Sequence, residues 1–188
     1  MLKRSLITLA ITLAATLPAF AHLDPLEHGS FAAGFSHPLF GLDHILAMVA
    51  VGLWAAQQQG SARWALPLTF VLSMIGGGLL GFTGMQLPQL ETGIAASVLA
   101  LGLLVTLAAR MPMIVSVTLT ALFALSHGVA HGLELPLAAS PWAYALGFVS
   151  ATAALHAGGY ALARGVTAPW VRLAGAASAF CGIWLLAS

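Results

Sequence analysis

Six apolar runs, each long enough or nearly long enough to cross a bilayer, constrain this chain more than any other feature. They cover His37 to Ala56, Ala65 to Gly84, Glu91 to Ala109, Met113 to His131, Trp142 to Ala163 and Ala168 to Ala187. A helix needs roughly 20 residues to span about 30 Å of hydrocarbon, and inside lipid only helices and closed barrels satisfy every backbone polar group. The breaks are short and carry turn residues: Gln57 to Ser61, Met85 to Gln89 with Pro88, Arg110 with Pro112, Leu135 to Pro141, and Arg164 to Thr167. None could hold a folded domain. With 60% hydrophobic and 6% charged residues, the chain lacks the roughly 25% charge that clothes a soluble globule. The expected fold is all-α: a polytopic membrane bundle of six transmembrane helices, residues 37–188, after a cleavable signal peptide.

That signal peptide is expected at residues 1–21. Lys3-Arg4 supplies the basic start, Leu6 to Leu17 the apolar centre, and Ala19-Phe20-Ala21 the small-x-small site for cleavage before His22. An uncleaved anchor is the alternative. Residues 22–36 then form a polar lead with His22, Asp24, Glu27 and His28. Cleavage would set a free α-amine beside the His22 imidazole, a chelating pair for metal at the surface. An incidental solvated leader is the other reading.

If His22 starts outside, the loops holding Arg63, Arg110, and Arg164 with Arg172 all fall on the cytoplasmic side, as the positive-inside rule requires. The carboxylates Asp24, Glu27, Glu91 and Glu134 fall outside. This orientation gives a bacterial inner-membrane protein with both mature termini periplasmic. A net charge of +1, with no basic patch interleaved with aromatics, gives no sign of a nucleic-acid partner. The single cysteine, Cys181, cannot form an internal disulfide. Lipid is the expected surroundings, and assembly into a homo-oligomer is left open.

Two polar clusters interrupt the apolar pattern. The first is His37-Pro38-Leu39-Phe40-Gly41-Leu42-Asp43-His44 with Met48 beyond it; the second is Ser126-His127-Gly128-Val129-Ala130-His131-Gly132-Leu133-Glu134. An Asp inside a spanning segment costs roughly 2.5–3.5 kcal/mol on insertion scales, so such groups need a partner or a function. With Pro38 at the first helical position, a regular helix would place His44 about 20° in azimuth from His37 and about 10.5 Å deeper. That separation makes them successive stations rather than co-ligands. Asp43 either ligates an ion or fixes an imidazole tautomer. Met48 reads as core. His127 and His131 have the i, i+4 spacing by which one helix face offers two imidazoles to a metal, and Glu134 follows on that side if the helix continues past Gly132. The topology brings both clusters to the outer half of the membrane. His156, alone in the fifth span, and Glu91, at the outer start of the third, are weaker candidates for the same path. Glu91 fits a vestibule that concentrates cations.

Imidazole and carboxylate ligands suit nickel, cobalt, zinc or cupric copper rather than magnesium. No prosthetic group is expected; the ion is cargo. Two other classes compete. An intramembrane zinc hydrolase could use His44, His127 and His131 as ligands, with Asp43 or Glu134 activating water. A bis-histidine haem protein would need facing histidines on two spans. No Walker A pattern is present, so ATP-driven transport would require another subunit.

At the same two clusters the chain resembles the HupE/UreJ family of nickel and cobalt permeases. The likeness rests on His-Pro-x-x-Gly-x-Asp-His-x-x-x-Met from His37 to Met48, and on Ser126-His127-Gly128-x-x-His131-Gly132-x-Glu134. The size, the leader and the six-span layout extend it over the whole chain. The resemblance implies secondary uptake of Ni²⁺ or Co²⁺ for hydrogenase or urease maturation, with His37, Asp43, His44, His131 and Glu134 in the metal path.

Overall fold

The computed structural model describes residues 25–188, and the regular elements among them are all helices. They run α1 (Pro25–His28), α2 (Ser30–Phe40), α3 (Leu42–Gln57), α4 (Ala62–Phe82), α5 (Leu90–Leu107), α6 (Met113–Leu133), α7 (Pro141–Gly165) and α8 (Ala168–Ala187). The proposed signal segment and His22 lie outside the described residues. Helices α4 to α8 are each long and apolar enough to cross a membrane, and α2 with α3, bent at the break between them, passes the same test as a pair and counts as a sixth, broken span if the two are taken as one. The chain is therefore a multi-pass membrane protein. Its outer wall is hydrocarbon, with Leu68, Leu72, Ile114, Leu122 and Phe180 exposed. The alternating direction of the spans puts Arg63, Arg110, Arg164 and Arg172 at one end of the bundle. Asp43, Glu91 and Glu134 are at the other.

The first span departs from a regular helix. Pro38 lies in the last turn of α2 rather than at a helix start, and the axis bends by 83° between α2 and α3. A proline inside a helix removes one amide donor and weakens that turn. Gly41 then takes an extended conformation, φ −89° and ψ 116°, and serves as the N-cap of α3. Asp43 stands in the first turn of the new helix, where the positive end of the macrodipole favours a carboxylate. The consequence is that α3, at 16 residues, is only about 24 Å long, and α2 leaves its head at nearly a right angle.

The core contains Trp54, Phe70, Met48, Leu53 and Leu66, all fully buried. At the arginine end, the Trp54 indole N–H donates to the carbonyl of Ala109 at 2.9 Å. The Gln58 and Gln57 amides donate to Ala109 and Val105 at 3.0 and 2.9 Å. These bonds tie the end of α3 to the end of α5.

Glycine determines which helices touch backbone to backbone. A Cβ at Gly128 would strike the Met74 carbonyl, and one at Gly132 or Gly77 would strike Gly78 or Leu125. This fastens α6 to α4. Gly52 of α3 and Gly159 of α7 lie against the carbonyls of His156 and Val49, and Gly34 and Gly147 join α2 to α7 in the same way. Gly102, Gly175 and Gly182 join α5 to α8. Lipid supplies no hydrophobic drive between helices, so close approach through small residues carries the association.

Gly128→Leu is therefore expected to separate α4 from α6 and cost at least about 1–3 kcal/mol, the usual penalty of overpacking. Gly76→Ala, where a Cβ meets nothing within 4 Å, should leave stability equal or slightly raised. Thermal unfolding of both detergent-purified variants measures the difference.

Candidate metal centre

The bend at Gly41 turns two distant positions into neighbours. His37 in α2 and His44 in α3 have ring centroids 6.2 Å apart, and the His131 ring of α6 lies 4.8 Å from the first and 4.4 Å from the second. The regular-helix expectation that His37 and His44 stand as remote stations is thus corrected by the broken span. Both rings border the same space.

Glu134 completes the group. Helix α6 persists through Leu133, and Glu134 caps it with its amide bonded to the Ala130 carbonyl at 3.1 Å. Its carboxylate then points back along the face bearing His131. Oε2 stands 3.2 Å from His37 Nε2 and 3.9 Å from His131 Nδ1. One ligand atom from each of His37, His131 and Glu134 lies within 4.8 Å of the other two. Metal–ligand bonds of about 2.0–2.2 Å allow opposite ligands to stand about 4 Å apart, so small side-chain adjustments close this triad on one ion. His37 and His131 are buried, whereas Glu134 is 48% exposed. The group is enclosed on its protein side and reachable from the acidic end of the bundle.

Two further imidazoles border it with their tautomers fixed. His44 Nδ1 donates to Asp43 Oδ1 at 2.6 Å, and the same oxygen accepts the His44 backbone amide at 2.9 Å. Asp43 therefore acts through His44: it orients the ring and leaves the lone pair on Nε2, the arrangement by which a carboxylate prepares a metal-binding imidazole. His127 Nδ1 donates to the Phe123 carbonyl at 2.9 Å, which also leaves its lone pair on Nε2. The His127 ring turns towards His44, 5.3 Å away. The triad thus takes His131 without its i, i+4 neighbour.

Buried polar atoms normally have partners. Here His44 Nε2, His127 Nε2, both nitrogens of His131 and both of His156 have no hydrogen-bond partner among the described residues. Such a concentration of donor lone pairs is what a divalent cation requires. His156 is buried in α7 outside the triad. Glu91, exposed at the start of α5, is also outside it, but Glu91 and Asp43 both line a cavity of about 340 Å³ at the acidic end. His28 is exposed at the end of α1, outside the triad.

The aromatic packing around the centre has no counterpart in the sequence motifs. The Phe148 ring lies 4.1 Å from His131 and 6.1 Å from His37, and Tyr144 lies 6.0 Å from His37. Phe70 contacts both His127 and His156. Aromatics inside an apolar span have no signature that separates those against a polar site from those facing lipid. An apolar cavity of about 260 Å³ between α4, α6 and α7 reaches His131 from the side.

The family described as HupE / UreJ protein matches this chain over residues 9–185. The chain belongs to the HupE/UreJ family. Protein HupE of Rhizobium leguminosarum bv. viciae is 44% identical over 98% of this chain and 99% of its own length. No solved structure matches this HupE/UreJ protein. Of the residues that the resemblance implies for the metal path, His37, His44 and His131 have neighbouring rings, Glu134 stands beside His37 and His131, and Asp43 is bonded to His44.

Equilibrium dialysis of the purified protein against nickel tests the geometry. Glu134→Gln and His131→Ala should each weaken binding at least tenfold. Asp43→Ala, which frees the His44 ring, should weaken it by about 10–100-fold, the usual range for a carboxylate behind a ligating imidazole. Affinities within twofold of the parent for all three would exclude this centre.

Proposed function

We propose that this HupE/UreJ protein takes up Ni²⁺ or Co²⁺ by secondary transport across the bacterial inner membrane, with the His37–His131–Glu134 group as its cargo site. The observation that carries the reading is the convergence of one ligand atom from each of these residues within 4.8 Å, beside a His44 ring held by Asp43. The HupE/UreJ family is implicated in nickel and cobalt uptake, which agrees with an imidazole and carboxylate ligand set.

The path follows from depth. With the arginine end in the cytoplasm, as the positive-inside rule favours, the Glu134 end faces the periplasm. A leader removed before His22 would leave the amino terminus there. Cations gather at Glu91 and Asp43 and at the histidines of the lead, His22 and His28. They lose water stepwise to His37, Glu134 and His131, pass His44 and His127, and leave by way of His156. Each donor replaces part of the hydration shell, so no bare charge meets hydrocarbon. At roughly 100 mV, inside negative, a divalent ion gains about 4.6 kcal/mol on crossing, twice the charge-by-potential value. That suffices for more than a thousandfold accumulation without ATP, and the ion would then serve hydrogenase or urease maturation.

Proteoliposomes holding a metal indicator decide the matter. The parent protein should carry external nickel or cobalt into the lumen with no other substrate present, faster under an inside-negative potential. His131→Ala and Asp43→Ala, at equal protein, should reduce the initial rate at least tenfold. Stoichiometric binding of zinc with no flux of any metal would contradict transport and favour a hydrolase.

A further inference from the structure

One hydrocarbon ring touches both an imidazole beside the centre, His127, and the more distant His156. Phe70 of α4 is fully buried, with its centroid 5.7 Å from that of His127 and 5.1 Å from that of His156, perpendicular to the latter. Both imidazoles that the ring touches carry nitrogens with no hydrogen-bond partner among the described residues: Nε2 of His127, and Nδ1 and Nε2 of His156. The two imidazoles are thus packed against a phenyl group that has no lone pair to offer a cation. A contact of this kind excludes water, and a divalent ion cannot shed its shell into it.

The mechanical setting of the ring differs from that of the histidine beyond it. Phe70 rides on α4, which is fastened to α6 through Gly77, Gly128 and Gly132. His156 rides on α7, fastened to α3 where Gly52 meets the His156 carbonyl itself. The ring and the imidazole thus belong to different close-packed pairs, and they meet through side chains alone. Pro67 lies inside α4 one turn towards the arginine end from Phe70, and its missing amide donor weakens the helix there.

We propose that Phe70 is the gate of the transport path: in the described conformation it closes the passage between His127 and His156. It opens when the α4/α6 pair shifts against α3/α7. The inference rests on reading the His37–His131–Glu134 group as the cargo site. In the described state that group is reachable through Glu134, and on this reading the Phe70 ring is what closes the passage beyond His127. Rotation or withdrawal of the ring would bring the His127 and His156 nitrogens into a common space and pass the ion inward. The small separation of the two imidazoles from one ring means that a displacement of a single side chain's width suffices.

The experiment measures nickel binding and nickel flux separately on the full chain. Phe70→Trp, a larger plug, should keep the nickel dissociation constant within threefold of the parent while lowering flux into proteoliposomes at least tenfold. Phe70→Ala should keep binding, raise flux at least threefold and admit protons, read by a luminal pH dye. Phe70→Leu replaces it should the alanine variant aggregate, with the same direction expected. Parental flux in both the larger and the smaller variant would overturn the gate. So would binding and flux falling together in both, because Phe70 would then be part of the packing of the centre. A parent protein that neither binds nor carries nickel would instead overturn the assignment of the cargo site.

Discussion

A polar side chain inside a membrane bundle has no bulk water to turn to, and this constraint organises the acidic half of the molecule. Four imidazoles and two carboxylates occupy ground that hydrocarbon would otherwise fill, and they are satisfied in an ordered way. Asp43 takes the proton-bearing nitrogen of His44, the Phe123 carbonyl takes that of His127, and Glu134 stands between His37 and His131. What remains are lone pairs turned inward. Isolated, each would be a cost without return; on the proposed reading a bound cation would offset the expense of their burial.

The helix pairs serve this arrangement. Backbone contact through glycine lets α4 and α6 present His127 and His131 as one rigid unit, while α2, α3 and α7 present His37, His44 and His156 as another. The centre lies where the two units face each other. A site divided between two bodies is sensitive to their relative position, and a cation bound across it draws them together. If the proposed cargo site is correct, access and affinity would be coupled through the same contacts, as in transporters whose binding sites lie between repeats or bundles.

Much of this was readable from residues alone, because lipid makes the rule for spanning segments simple. The boundaries of α4 to α8 fall within a few residues of the apolar runs, and Glu134 stays on the His131 face because α6 does continue past Gly132. The first span departs from a regular helix for a definite reason. Pro38 suits a helix start as well as a failing last turn, and only the tertiary fold distinguishes them. Gly41 followed by Asp43 is a helix-end and helix-start signal set inside an unbroken apolar pattern. That bend is what converts His37 and His44 from stations about 10 Å apart on an ideal helix into neighbours of His131. Phe70, Tyr144 and Phe148 could not be singled out, since nothing in spacing or composition separates a ring against an imidazole from one against a lipid tail.

The account stands on a single cation held jointly by α2 and α6. Crystals of the full chain grown with nickel, with an anomalous difference map recorded at the nickel edge, examine it directly. A peak within bonding distance of His37, His131 and the Glu134 carboxylate is the predicted result. A peak held by the i, i+4 pair His127 and His131 without His37, or one confined to the surface, would contradict it.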